Sequence, residues 1–399
     1  MPSSPHLIIR SSWQTVNIGD IAHTPGLLQL LEGEFPDYQL TLWANPLDFG
    51  VRPLLEKLFP RVTIIEEGGS QSGMPQSREL QELWDRADFF LHGSAPYVVA
   101  EQGLHAWRKS GRPFGLMGVT IETPSPQLIE MLEDASFVFT RETASIARLR
   151  DAGLINPEVA FAPDATFQCH VADPLKGLAL MKRFGLEPGK FLCVIPRLRF
   201  TPYYKIHHRP PTALELERNV INEHWMEIEL SKVRSVVTAW VRETGLPVLI
   251  CPEMTYEVEV GLHEIRNKLP DDVRAHVHAL DYYWLTDEAS AVYAESTGLL
   301  SMECHSPILA IEQGIPALYL RQPTDTIKGQ MYRDLGLDEW ILEIETASEA
   351  EITETVLRFA GEPEMQRQRA RDAADRARGH LSLAASKIRE ALTHLRPRQ

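Results

Sequence analysis

Short apolar runs alternate with stretches of helical spacing along most of this chain. Apolar runs at residues 6–10, 38–44, 62–66, 88–92, 113–119, 137–141 and 159–162 predict strands, since strands covered on both faces read as continuous apolar segments. Between them, residues 19–31, 51–59, 78–86, 97–110, 125–132 and 143–151 carry a helical pattern. After a helix and connector at 173–189 the alternation starts afresh. Strands are expected at 191–195, 247–251, 273–280, 298–302 and 317–320, with helices at 223–245, 257–269, 286–294 and 307–313. A short helix and strand come after Asp334, and 348–361 and 363–395 are helical. Such alternation predicts parallel sheets covered by helices. The chain therefore reads as α/β, with two Rossmann-like domains facing each other across a cleft. The domains are expected at 1–175 and 186–375, with a C-terminal helix in 376–399 that packs back on the first.

Ligands of such sheets bind beyond the carboxyl ends of the strands, so the residues there are the candidates for chemistry. The first strand leads into Asn17-Ile18-Gly19-Asp20 and then His23, a small and polar stretch before a helix. That suits an anion or a sugar hydroxyl, and Asp20 fits equally well as a plain N-cap. His92-Gly93-Ser94 reads as a ligand contact or as a tight turn with a cap at Ser94. Arg141 lies past another strand and either faces the cleft or pairs with Glu142 or Asp151. Asp164 sits at a further strand end, as a ligand or a turn residue.

The second half is richer. Residues 197–211 form an expected long exposed loop that opens with Arg197 and Arg199 and continues through Tyr203, Tyr204, Lys205, His207, His208 and Arg209. Guanidinium forks match carboxylate and phosphate, so this loop points to an anion site, with a solvated basic loop as the plainer reading. Ser301-Met302-Glu303-Cys304-His305 then carries a histidine from a strand to the start of a helix. The helix N-terminus lowers the proton affinity of His305 and Glu303 raises it. The plainer role for His305 is structural N-capping. His276 and His278 share a strand face without further ligands, so no metal site is expected. Cys304 and His305 are adjacent in sequence, which does not aim one at the other as a nucleophile pair.

Composition narrows the function classes. A net charge of −15 argues against gripping a nucleic-acid backbone. Cys169, Cys193, Cys251 and Cys304 lack C-x-x-C spacing and predict reduced, buried thiols. No apolar run reaches the length of a membrane span, and residues 1–9 lack the pattern of a secretory leader, so a cytoplasmic location is expected. No cofactor is expected, and self-association into a homo-oligomer is compatible with the sequence.

In order and spacing these motifs resemble the polysaccharide pyruvyl transferase family. The resemblance rests on Asn17-Ile18-Gly19-Asp20, on the strand and Arg141, on Ala162-Pro163-Asp164-Ala165-Thr166-Phe167, on Arg197 or Arg199, and on Ser301-Met302-Glu303-Cys304-His305 with Gly314-Ile315-Pro316. It spans about residues 7–340. It implies a GT-B-like arrangement, phosphoenolpyruvate as donor and a saccharide hydroxyl pair as acceptor. It implies His305 as the general acid that protonates the enol methylene, with Asp20 the second catalytic candidate. Arg197, Arg199, Glu303 and Ser301 fall on the donor side, and Asn17, His23, His92 and Arg141 on the acceptor side. Two departures stand out: Glu303 occupies the family's Arg position, and His92-Gly93-Ser94 replaces a glycine-rich triplet. The charge reversal at Glu303 keeps two other readings open. One is a GT-B-type glycosyltransferase with a nucleotide-sugar donor, and the other a catalytically silent sugar-binding protein.

Overall fold

Each half of the chain wraps helices around its own parallel sheet in the computed structural model, which describes residues 4–12 and 14–393. Residues 1–3, Trp13 and 394–399, with the last two positions of the helix expected to end at 395, lie outside the described residues. The first sheet contains β1 (His6–Arg10), β2 (Gln39–Ala44), β3 (Thr63–Glu66), β4 (Phe89–His92), β5 (Phe114–Val119), β6 (Phe137–Thr140) and β7 (Val159–Phe161). Its order is β3-β2-β1-β4-β5-β6-β7. The second contains β8 (Leu192–Ile195), β9 (Val248–Ile250), β10 (Val277–Ala279), β11 (Gly298–Ser301), β12 (Ala317–Arg321) and β13 (Ile341–Glu343), in the order β10-β9-β8-β11-β12-β13. Every strand pairing is parallel.

The apolar runs explain this layering. Leu7, Ile8 and Ile9 of β1 and Leu192, Cys193, Val194 and Ile195 of β8 are all fully buried, as strands with helices on both faces require. Strand order reverses between β1 and β4 and again between β8 and β11. Such switch points open a crevice at the carboxyl ends of the strands.

Several boundaries depart from the sequence reading, each for a local reason. The strand expected over 273–280 is only Val277–Ala279. Pro270 lets Asp271–Arg274 coil into a helical turn, with its two acidic residues at the favourable N-terminal end. The helix expected from 223 begins at Ala213, because Thr212 and Glu215 form a capping box and cap each other's backbone. Its first turns carry no buried stripe, and Leu214, Leu216 and Val220 are exposed, so the periodicity is invisible there. Within the loop expected at 197–211, Tyr203–Ile206 forms one helical turn.

The two halves are stitched at one seam. Ile18 N–H donates to Glu253 O at 3.0 Å and Thr255 N–H to Val16 O at 3.2 Å. The Thr286 and Tyr283 hydroxyls donate to the carbonyls of Ile18 and Thr15 at 2.8 and 3.2 Å. On the other side, the Pro363–Thr393 helix buries an alanine-rich face that includes Ala370, Ala373, Ala377 and Ala384. Toward its end it reaches the first half, through Lys387 with Glu158 at 3.0 Å and Arg389 with the Glu34 carbonyl at 3.0 Å. Among the described residues, no helix is long and apolar enough to cross a membrane.

Candidate active site

A small cavity of about 140 Å³ lies where the two switch points face each other. The first half contributes Gln14, Asn17, Asp20, His23, Pro96 and Arg141 to its lining. The second contributes Arg197, Thr201, Tyr203, Met254, Glu303, His305 and Lys328.

Asn17 shapes the entry to the Ile18–Glu34 helix. Its Oδ1 accepts the backbone N–H of Gly19 at 2.8 Å and of Asp20 at 3.0 Å, which is N-cap geometry. Asn17, rather than Asp20, is therefore the cap, and the Asp20 carboxylate is left to line the cavity. Gly19 has a separate reason. A Cβ there would lie 2.3 Å from the Cβ of His305, so only glycine lets that histidine dock on the helix start. Gly26 acts in the same way one turn after His23, where a Cβ would lie 2.0 Å from the Ala165 carbonyl oxygen. That contact holds the Asp164 turn against the helix.

The centre of the site is a contact between two imidazoles from opposite halves. His23 Nε2 and His305 Nε2 are 3.0 Å apart, with the rings edge to face. Asp164 Oδ2 lies 3.2 Å from His23 Nε2 and 3.9 Å from His305 Nε2, and it accepts Arg141 Nη1–H at 3.0 Å. Its Oδ1 accepts the Thr166 N–H at 2.9 Å and hydroxyl at 2.8 Å. On its far side, His305 Nδ1 faces Glu253 Oε1 at 3.3 Å, while Glu253 Oε2 accepts the Ser306 N–H at 2.6 Å. This network places the His305 proton on Nδ1 and leaves Nε2 as an acceptor for His23 Nε2–H.

Electrostatics agree with that assignment. Burial pulls the proton affinity of His23 down, but Asp164 and Asp20 reverse this, and the net shift is upward. Burial, the neighbouring His23 and Lys328 all lower His305, and Asp164 and Asp20 only partly offset them. Burial also works against the Asp164 charge, yet His23, Arg141 and His305 hold it well below the usual carboxylate range. His23 is thus the more basic ring of the pair and His305 the less basic. Asp20, His23 and His305 each bring a ligand-type atom to within 4.8 Å of one another, a grouping that has room for a cation as well as for the shared proton.

A second charged cluster borders the cavity. Arg197 Nε is 3.0 Å from Glu303 Oε1, and its Nη1 bonds Asp325 Oδ1. Burial pushes the Glu303 carboxyl up to about 7, Arg197 opposing and Glu253 reinforcing that shift. Burial also disfavours the Asp325 charge, but Arg197 and Lys328 bring its pKa down to about 2.

Three expected site residues do not line the cavity. Arg199 turns into the second half, where its Nε and Nη2 donate to Glu229 Oε1 at 2.8 and 2.6 Å. Its Nη2 also reaches Glu345 at 2.6 Å, and its guanidinium stacks 3.7 Å over Trp225. His92 is fully buried, with Nδ1 on the Gly93 carbonyl and Nε2 accepting the Val99 N–H at 3.1 Å. Burial lowers its pKa to about 4, so it is a neutral brace. The Ser301 hydroxyl bonds the N–H and carbonyl of Glu303 and shapes that turn. Beyond Tyr203, the basic loop spends its charge elsewhere, as Arg209 does on Glu215.

Glu253 and Lys328 are site residues that the sequence reading misses, and Asp164 is one that it leaves open between ligand and turn. Asp164 and Glu253 do lie just past strand ends, β7 and β9, so the strand-end rule is a usable signal for both. Lys328 sits one turn beyond β12 in a short segment without periodicity.

The polysaccharide pyruvyl transferase family model matches residues 17–322, from the Asn17 cap past β12. The chain belongs to that family. No curated protein sequence matches the chain. Among solved structures, this family member is similar over 99% of both chains to a putative UDP-N-acetylglucosamine 2-epimerase from Listeria monocytogenes, at TM-score 0.60 and 12% identity. It is also similar to the Anabaena protein Alr3699/HepE, solved with UDP-glucose, at TM-score 0.56 and 13% identity over 98% of this chain and 100% of that one. Medicago truncatula UGT71G1, solved with UDP-glucose, gives TM-score 0.58 and 11% identity over 98% of both chains. At such identities the likeness establishes the fold. This member of the pyruvyl transferase family has the GT-B-like arrangement of those epimerases and glycosyltransferases.

Proposed function

We propose that this chain transfers a pyruvyl group from phosphoenolpyruvate to a pair of saccharide hydroxyls, with the His23–His305 pair as the acid. The observation that carries the reading is the 3.0 Å contact between the two Nε2 atoms, beside three cations of the same cavity. His305 by itself is neutral. An anionic donor beside it favours its charged form, so binding draws the proton from His23 Nε2 to His305 Nε2. His305 then gives that proton to the enol methylene carbon, and the adjacent carbon becomes an oxocarbenium centre. One saccharide hydroxyl adds there, phosphate leaves with the electrons of its C–O bond, and the second hydroxyl closes the ketal. Asp20 takes the proton of one hydroxyl and returns it to the histidine pair, and the proton of the other leaves on the phosphate. The cavity volume of about 140 Å³ also favours a three-carbon donor. Pockets for larger ligands run to roughly 300–1,000 Å³.

The test is turnover in deuterium oxide with phosphoenolpyruvate and a panel of saccharides, read by phosphate release and by the mass of the product. One deuterium in the product methyl group and loss of turnover in His305→Ala are expected. Transfer from a nucleotide sugar, or saccharide binding without turnover, would replace this reading. Turnover lost to a chelator and restored by zinc would give the histidine pair to a cation instead.

A further inference from the structure

A second cavity, of about 230 Å³, lies in the first half and shares no lining residue with the central one. Arg10 and Trp43, at the ends of β1 and β2, form its buried side. The loop after β3 closes one edge through Gly69, Ser70 and Gly73, and the start of the Glu101–Arg108 helix closes the other. These walls are tied down. Trp43 Nε1–H donates to the Glu67 carbonyl at 2.8 Å, and the Glu67 carboxylate accepts the N–H groups of Gln76 and Ser77 at 2.7 and 2.8 Å. Gly73 has φ +75°, and a Cβ there would lie 2.0 Å from the Gln102 carbonyl oxygen, so only glycine lets the loop dock on the helix. On the helix side, neutral His92 accepts the Val99 N–H at 3.1 Å.

Arg10 is the member of this pocket that the fold leaves unexplained. It is 6% exposed, and its guanidinium lies 4.4 Å from the centre of the Trp43 ring. Its hydrogen bonds go to neutral oxygens, Asn45 Oδ1 at 3.1 Å and the Glu67 carbonyl at 3.4 Å, and no carboxylate pairs with it among the described residues. Glu67 acts on it only at a distance, because that carboxylate is spent on the loop backbone. Buried arginines ordinarily keep a carboxylate beside them, as Arg141, Arg197 and Arg199 do. Burial pulls the Arg10 pKa down to about 10, so its charge is disfavoured where it sits and a bound anion would relieve it. The Ala100 cap gives the Glu101–Arg108 helix no side-chain acceptor, which leaves first-turn N–H groups uncapped at the same pocket. Glu101, the acid on that wall, lies 3.6 Å from His105 one turn on.

We infer that the Arg10–Trp43 pocket binds an oxyanion, a phosphate or carboxylate group, at a site separate from the central cavity. The same chemistry is offered by a free phosphate ion and by an acidic sugar unit. Calorimetry with inorganic phosphate, glucuronate and neutral glucose tests the site in the wild type, Arg10→Met and Gln102→Glu. Neither substituted residue lines the central cavity, so binding there is common to all three proteins. Gln102 is exposed and lies in the first turn of its helix, where a carboxylate is favourable, so Gln102→Glu sets a negative charge at the pocket without loss of fold.

Both variants are expected to bind the anions at least about tenfold more weakly than the wild type, with glucose unaffected. Weakened phosphate alone names the free ion as ligand, and weakened glucuronate names the acidic sugar. Unchanged affinities in both variants overturn the site, as does a wild type that binds neither anion. Loss in Arg10→Met alone makes Arg10 a brace for the loop, and that also overturns the site. Each of these outcomes leaves the phosphoenolpyruvate reading to its own test.

Discussion

Arg199 gives the sharpest test of how charge is used in this protein. Replacing it with alanine removes one partner of a buried pair, since Arg199 and Glu229 have side-chain exposures of 7% and 3%. Glu229 would be left with Gln322 Nε2 on its other oxygen, at 2.7 Å, and an uncompensated charge. Breaking a buried pair in this way costs about 3–5 kcal/mol. The contact to Glu345 adds little, because that carboxylate is 40% exposed and screened. In a domain of this size each kcal/mol lowers Tm by about 2–4 °C, so Arg199→Ala should melt roughly 10 °C lower. Replacing both partners with apolar residues, as in Arg199→Met with Glu229→Leu, should recover most of the loss, since no charge is stranded. Differential scanning fluorimetry reads the stability, and donor KM well below the melting range reads the function. An Arg199→Ala protein with near-normal Tm and a KM raised more than about tenfold would refute the structural role and return Arg199 to the donor site.

Two further outcomes come from the same geometry. In Gly19→Ala the new Cβ would meet the His305 Cβ at 2.3 Å and must displace that side chain, and overpacking of this kind costs about 1–3 kcal/mol. We expect a modest fall in Tm and a fall in kcat of at least about tenfold, since small displacements of an acid are expensive, and normal kcat would show that the ring need not dock there. Glu303, with its pKa pushed up to about 7, is neutral below that pH and charged above it. Rising pH therefore adds a negative charge beside the donor, and donor KM should climb roughly tenfold through neutrality. Glu303→Gln should flatten that rise, and an identical profile would clear Glu303 of the effect.

Much of the fold is legible in the sequence because it depends on local pattern. The runs at β1 and β8 fit only buried strands, and the alternation implies parallel sheets with cleft-side carboxyl ends. His305 and Arg197 are legible for the same reason, since each lies just past a strand end, and Asp20 because it follows the small, polar stretch between β1 and a helix. Local pattern does not decide direction. Arg197 and Arg199 lie two residues apart on one loop, yet the first faces the cavity and the second faces Glu229. That choice is made by a carboxylate thirty positions away on a helix whose start is itself hidden. The sequence assigns His23 to sugar hydroxyls, whereas its partner is an imidazole 282 positions away. Lys328 is hidden because it lies seven residues past β12, in a short segment without periodicity.

The two Nε2 atoms belong to different halves, and this has a consequence for when chemistry can occur. If the cleft opens at the seam between Ile18 and Glu253, the shared proton loses one of its two owners. The acid then does not weaken by degrees; it ceases to exist as a unit. The proton is a two-key lock, with one key on each half of the molecule. Under the proposed pyruvyl transfer, an enol donor in an open site would meet two separate imidazoles, and proton transfer would wait until both halves had closed around it.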